Sequence, residues 1–170
     1  MTGNLKLIIP PDEILEIVTG LAAEIEKDCA VGTPVLLGVL KGAFVFLSDL
    51  ARAFSRHVEI DFIQASSYGD RDTPSRDVLI TGGPSIDIKG RDVIIVEGIV
   101  DRGVTAKAVT GYLKSKGPAS LKTCALLLRH SHRGVNIDYI GRRIDEGFVV
   151  GYGMDYKGRY RNLPGIYIIK

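Results

Sequence analysis

Glu97, Asp101, Arg102, Gly103, Val104 and Thr105 fall in one short stretch, Val93-Ile94-Ile95-Val96-Glu97-Gly98-Ile99-Val100-Asp101-Arg102-Gly103-Val104-Thr105. An apolar strand delivers the acidic Glu97 to its carboxyl end. Gly103 lets the backbone turn tightly and aim N–H groups at an anion. Thr105 is placed to cap the helix that follows, and the helix N-terminus adds partial positive charge. Arg102 adds a full one. The pattern suits a bound phosphate, though an ordinary strand-to-helix turn with a capping threonine would read the same way. Asp101 breaks the tie, because a phosphate repels a carboxylate. It suits a proton or a hydroxyl better.

The elements that must hold this loop are legible around it. Pro10 and Pro11 precede Asp12 and Glu13, a good first turn. Ile14, Ile17, Val18 and Leu21 then recur at helical spacing, so a helix runs to about Lys27. Residues 34–40 are a continuous apolar run, read as a strand buried on both faces. Residues 42–56 have helical periodicity through Phe46, Leu47, Leu50 and Phe54. Residues 58–66 and 78–81 read as strands, with a polar loop at 70–77 between them. Residues 92–96 are the clearest buried strand. Residues 105–116 form an amphipathic helix ended by Gly117 and Pro118, and 121–128 a further strand. The last fifty residues hold short strands and turns. Alternating strands and helices predict an α/β fold with a mostly parallel twisted sheet flanked by helices. Ligands in such sheets sit at the carboxyl ends of strands, so the loops after Leu40, Val96 and Leu128 are where function belongs.

The chain is 170 residues, 45% hydrophobic and 25% charged, which is enough for one domain with its own core. A formal net charge of +2 offers no case for nucleic acid or a membrane surface. Cys29 and Cys124 are far apart and read as two small buried hydrophobes, excluding a disulfide framework and a structural zinc site. No apolar run approaches a membrane span. The N-terminus has no basic region followed by a long apolar stretch, so a cytoplasmic protein is expected. His130-Ser131-His132 could offer two metal ligands, but no third is near in sequence, and it reads as a solvated loop.

The 93–105 stretch resembles the phosphoribosyl pyrophosphate motif of the phosphoribosyltransferases. Further blocks narrow the resemblance to the hypoxanthine-guanine phosphoribosyltransferases. They are Leu40-Lys41-Gly42-Ala43, Asp61-Phe62-Ile63, Ser66-Ser67-Tyr68-Gly69, the run from Phe148 to Tyr156, and Tyr160-Arg161-Asn162-Leu163-Pro164. They occur in that family's order, and the likeness spans about 10–170. It implies a type I fold in a single domain, with a small hood made by the N-terminal residues and about 137–170. It implies a reaction joining hypoxanthine or guanine to phosphoribosyl pyrophosphate, with Mg²⁺ as cofactor and a homodimer or homotetramer as the assembly.

The resemblance also assigns roles. Asp101 takes the purine N7 proton. Asp101 to Thr105 cradle the 5′-phosphate, and Glu97 sits by the ribose hydroxyls and Mg²⁺. Lys41, Gly42 and Arg161 meet pyrophosphate. Phe148 stacks on the purine, Val149 reads its edge, Arg129 stands where a lysine usually meets the 6-oxygen, and Asp155 lies near the 2-position and Mg²⁺. Ser67 and Tyr68 begin a mobile lid.

This chain departs from the family at several of these places. The second acidic residue of the motif is Gly98, and its first threonine is Arg102. Ser75-Arg76-Asp77 and Gly141-Arg142-Arg143 also differ from the usual lid and turn. Arg76, Arg102, Arg129, Arg142 and Arg143 are expected to add positive charge near the site. A second reading follows from Gly98 and Arg102: a protein of this fold with weakened catalysis that binds a nucleotide or a partner as a regulator. A third, raised by Arg129, is transfer to another base.

Overall fold

The structure, a computed structural model, describes residues 5–29, 32–67, 78–129, 134–145 and 147–170. The apolar runs form the middle of a six-stranded sheet. These are β2 (Val35–Leu40), β5 (Asp92–Val100) and β6 (Ser120–Arg129), with interiors buried on both faces. Outward from β2 lie β3 (Glu59–Ser67) and β4 (Val78–Gly82), and outward from β6 lies β7 (Tyr139–Ile144). The order is β4-β3-β2-β5-β6-β7, and every pairing is parallel except β3 with β4.

Helices cover both faces. On one, α1 (Pro11–Asp28) and α2 (Phe44–Ala53) bring Ile14, Val18, Ile25, Phe46 and Leu50 against Leu36, Ile94, Val96 and Leu126. On the other, α3 (Val104–Lys114) packs Val109 and Leu113 against Val35, Leu37, Val93 and Ile95. Successive strand residues point to opposite faces, so a strand between two helical layers must be apolar throughout. Each large side chain buried this way stabilises the fold by about 1.5–3 kcal/mol.

A second, three-stranded antiparallel sheet joins the two ends of the chain in the order β1 (Leu5–Ile9), β9 (Ile166–Ile169), β8 (Phe148–Val150). The alternation in Leu5-Lys6-Leu7 is too short to announce a strand by itself, and the partner that makes it one is at the far end of the chain.

Three boundaries differ from expectation, each for a reason that bears on the site. β5 does not stop at Val96. Its pairing with β6 continues through Ile99–Leu127 and Val100–Leu128, so Glu97 is within the strand and the loop is only 101–103. Helix α2 starts at Phe44, leaving Lys41, Gly42 and Ala43 as a turn. β7 completes the edge of the large sheet, so the C-terminal share of the small sheet begins at Phe148 rather than near 137.

Candidate functional site

The carboxyl ends of β2, β5 and β6 meet the start of β8 around one cavity of about 340 Å³, lined by Lys41, Gly42, Ile99, Asp101, Arg129, Phe148, Val149, Met154, Asp155 and Arg161. Eight of the residues singled out in the sequence are therefore brought together from five separate segments. Ile99 and Met154 lie inside the quoted blocks, but the sequence assigns no role to either. They are apolar wall, and only the path of β5 beyond Val96 turns Ile99 towards the opening.

The phosphate loop is built by helix geometry. Gly103 is the N-cap of α3 with φ +81° and ψ 4°, a left-handed conformation that costs a residue with a Cβ. No side chain caps the helix, so Thr105 does not have the capping role expected of it; it lies inside the first turn. The first turn's N–H groups have no partners within the helix. They and the Thr105 hydroxyl form a donor cluster at the positive end of α3. Arg102, Gly103, Val104 and Thr105 do not line the cavity itself. Asp101 belongs to both.

Arg129, at the end of β6, is only 16% exposed in its side chain, and its three nitrogens are all engaged. Nε is 3.1 Å from Oδ1 of Asp101. The two terminal nitrogens donate to the carbonyls of Asp145 and Gly147, each at 2.5 Å. Arginine's fork makes this three-way contact possible where a lysine would act as a point charge. Arg129 therefore ties Asp101 to the segment leading into β8. Arg142 lies elsewhere: it pairs with Glu13 of α1, on the helical face of β7, and adds no charge to the cavity.

Asp155 and Arg161 pair at 2.7 Å. Arg161 also donates to the Gly153 carbonyl at 2.6 Å, and the Gly158 N–H donates to Asp155 at 2.6 Å. The 153–161 segment is thus cross-braced at the cavity wall. Phe148 is 51% exposed, too open for a core aromatic and well placed to lie against a flat ligand. Val149 beside it is buried. The peptide bond between Leu40 and Lys41 is cis.

Glu97 does not join this cavity. It is 8% exposed, and its Oε1 has no hydrogen-bond partner among the described residues. Burial alone pushes its carboxyl up to about 8, so it is mostly protonated at neutral pH. Gly98 is occluded as well: a Cβ there would come within 2.8 Å of the Gly42 carbonyl oxygen. The space a second acidic side chain would start from is taken by the backbone of the 41–43 turn.

Among the described residues no group of three or more His, Cys, Asp or Glu could hold a metal by itself. The donor set still fits Mg²⁺, which takes one or two carboxylates and completes its octahedron with water and phosphate oxygens. Asp155 is the carboxylate on the cavity wall suited to that, whereas Glu97 is buried off the cavity with its carboxyl raised by desolvation. Ser67 ends β3; Tyr68, the 70–77 loop and 130–133 lie outside the described residues.

The phosphoribosyl transferase domain family matches residues 11–157. A hypoxanthine-guanine phosphoribosyltransferase of Aquifex aeolicus is 41% identical, over 98% of this chain and 96% of its own length. The hypoxanthine phosphoribosyltransferase of Escherichia coli K12 is 42% identical, with 98% and 96% covered. A crystal structure of a hypoxanthine-guanine phosphoribosyltransferase from Bacillus anthracis superposes with a TM-score of 0.91 at 37% identity, covering 97% of this chain and 98% of that one. From the matched length, the shared fold and the convergence of the motif residues on one cavity, the chain belongs to the phosphoribosyl transferase family, on its hypoxanthine-guanine branch.

Proposed function

We propose that this enzyme joins hypoxanthine, guanine or both to phosphoribosyl pyrophosphate in purine salvage, releasing pyrophosphate and forming the nucleoside monophosphate. The observation that carries the reading is the convergence of Asp101, Arg129, Phe148, Asp155 and Arg161 on one cavity beside the amino end of α3.

In this reading the 5′-phosphate sits on the donors from Asp101 to Thr105. Lys41, the Gly42 backbone and Arg161 receive the pyrophosphate. Phe148 stacks on the purine and Val149 meets its edge through the backbone. The bond from the anomeric carbon to pyrophosphate breaks as the base nitrogen approaches, and the ribose passes through an oxocarbenium-like state. Asp101 accepts the N7 proton, and Arg129 holds its carboxylate in place. Positioning and preorganised charge do most of the work. Mg²⁺ would supply charge to the leaving pyrophosphate when bound, with Asp155 as the carboxylate on the cavity wall; Glu97, the second ligand the resemblance implies, would have to lose its proton to join it. Ser67 and Tyr68 open the segment that would close over the site.

Arg129 fits a role through Asp101 as well as any contact to the 6-oxygen, since two of its nitrogens already serve backbone carbonyls. A homodimer or homotetramer belongs to the same reading, and the exposed Leu15, Phe44, Phe62 and Leu79 offer apolar surface for it. The reading as a catalytically weakened protein acting as a regulator is not favoured, because the relatives that match nearly end to end are enzymes by name.

The test is nucleotide formation from phosphoribosyl pyrophosphate and Mg²⁺ with hypoxanthine, guanine and xanthine in separate reactions. Multiple turnover with hypoxanthine or guanine is expected. Binding of phosphoribosyl pyrophosphate without turnover on any base would return the regulator to first place.

A further inference from the structure

Phe148 is half-exposed at the start of a three-residue strand, and a ring so placed needs something to fix its plane. Its neighbour is Tyr156. The two ring centroids are 5.0 Å apart and the planes meet at 74°, an edge-to-face pair. Tyr156 does not line the cavity, so its contact with the site runs through Phe148.

Tyr156 is itself held. Its N–H donates to the Arg159 carbonyl at 3.1 Å and its carbonyl accepts from the Arg159 N–H at 3.0 Å. Lys157 and Gly158 between them have φ of +52° and +79°, a mirror-image two-residue hairpin turn that fixes both flanking residues. The Lys157 ammonium lies 5.2 Å from the centre of the Tyr156 ring. The same turn is pinned by Asp155, which accepts from Gly158 and pairs with Arg161.

We infer that Tyr156 is a positioning residue for the base: it sets the plane of Phe148 so that a purine entering the cavity meets a preformed stacking face. The inference rests on the reading of Phe148 as the stacking residue. Without Tyr156 the Phe148 ring samples other rotamers, and the base must order it on binding. The loss falls on the base, because the 5′-phosphate is held at α3 and Arg161, although on the same turn, keeps its own bonds to Asp155 and the Gly153 carbonyl without the Tyr156 ring.

Steady-state kinetics on Tyr156→Leu, Tyr156→Phe, Phe148→Leu and the Phe148→Leu/Tyr156→Leu double variant test it. An aromatic pair of this kind is worth about a 2- to 10-fold effect. Tyr156→Leu is expected to raise the KM for the base by that factor with the KM for phosphoribosyl pyrophosphate unchanged. Tyr156→Phe should restore it, and the double variant should be no worse than Phe148→Leu. An unchanged base KM in Tyr156→Leu, with a raised one in Phe148→Leu, overturns the inference and leaves the stacking reading intact. An unchanged base KM in Phe148→Leu overturns the stacking reading itself. Should Tyr156→Leu not fold, Tyr156→Met, which removes the ring but keeps apolar bulk, reads the same quantity, and an unchanged base KM there is equally fatal.

Discussion

Arg129 and Asp101 meet at 3.1 Å although they close two different strands, β6 and β5, and the same guanidinium reaches the carbonyls of Asp145 and Gly147. One side chain thus relates the proposed general base to the segment that carries Phe148. Arg129→Lys keeps the charge but not the fork. A hydrogen bond to a charged group contributes about 1.5–3 kcal/mol. Without one or two of these bonds, kcat/KM for the base should fall roughly 10- to 100-fold. The KM for phosphoribosyl pyrophosphate should change little. Initial-rate kinetics with each substrate varied in turn measures both.

Asp101→Asn removes the proton acceptor while keeping size and polarity. General-base catalysis contributes about 10²–10⁴-fold, so kcat should drop within that range. Nucleoside monophosphate binding, followed by calorimetry, should survive, because the donors of α3 are backbone groups. A variant with wild-type kcat would remove Asp101 from the mechanism.

Gly98→Asp would restore, on paper, the acidic pair of the family motif. The Gly42 carbonyl oxygen stands 2.8 Å from where the new Cβ would be, and it is backbone. Overpacking of this kind destabilises by about 1–3 kcal/mol. The expected result is a lower melting temperature and a raised KM for phosphoribosyl pyrophosphate. Thermal denaturation alongside kinetics checks both, and a gain in activity would show that the 41–43 turn yields easily.

Glu97 has its carboxyl raised by burial to about 8, against an ordinary 4.5. The folded protein therefore binds a proton more tightly than the unfolded chain. Between pH 4.5 and 8 the unfolded state holds fewer protons at this group, so its effect on stability turns increasingly unfavourable as pH rises through that window. Glu97→Gln removes the titration. Its melting temperature should gain on the wild type as pH rises from about 5 to about 8, with the difference largest at the alkaline end. Parallel pH curves for the two proteins would mean that Glu97 does not carry the raised value.

The parallel α/β core was legible from the sequence because a strand sandwiched between helices must be apolar at every sandwiched position, as 34–40 and 93–96 are. The phosphate loop was legible because its chemistry is local: Gly103, the helix start and Asp101 lie within one turn of chain. The fold alone decided what depended on pieces distant in sequence. β1 acquires its meaning only by pairing with β9. Tyr156 matters because a hairpin turn carries it to Phe148. Arg129 reads as a base contact in the sequence and becomes a clip between Asp101 and the Asp145 and Gly147 carbonyls in space. Glu97 reads as a loop carboxylate and is instead a neutral group inside β5, because the strand pairs four residues further than its apolar run. Periodicity and turn chemistry report what each residue does with its near neighbours; desolvation, ion pairing and ring packing are set by neighbours that only chain closure supplies.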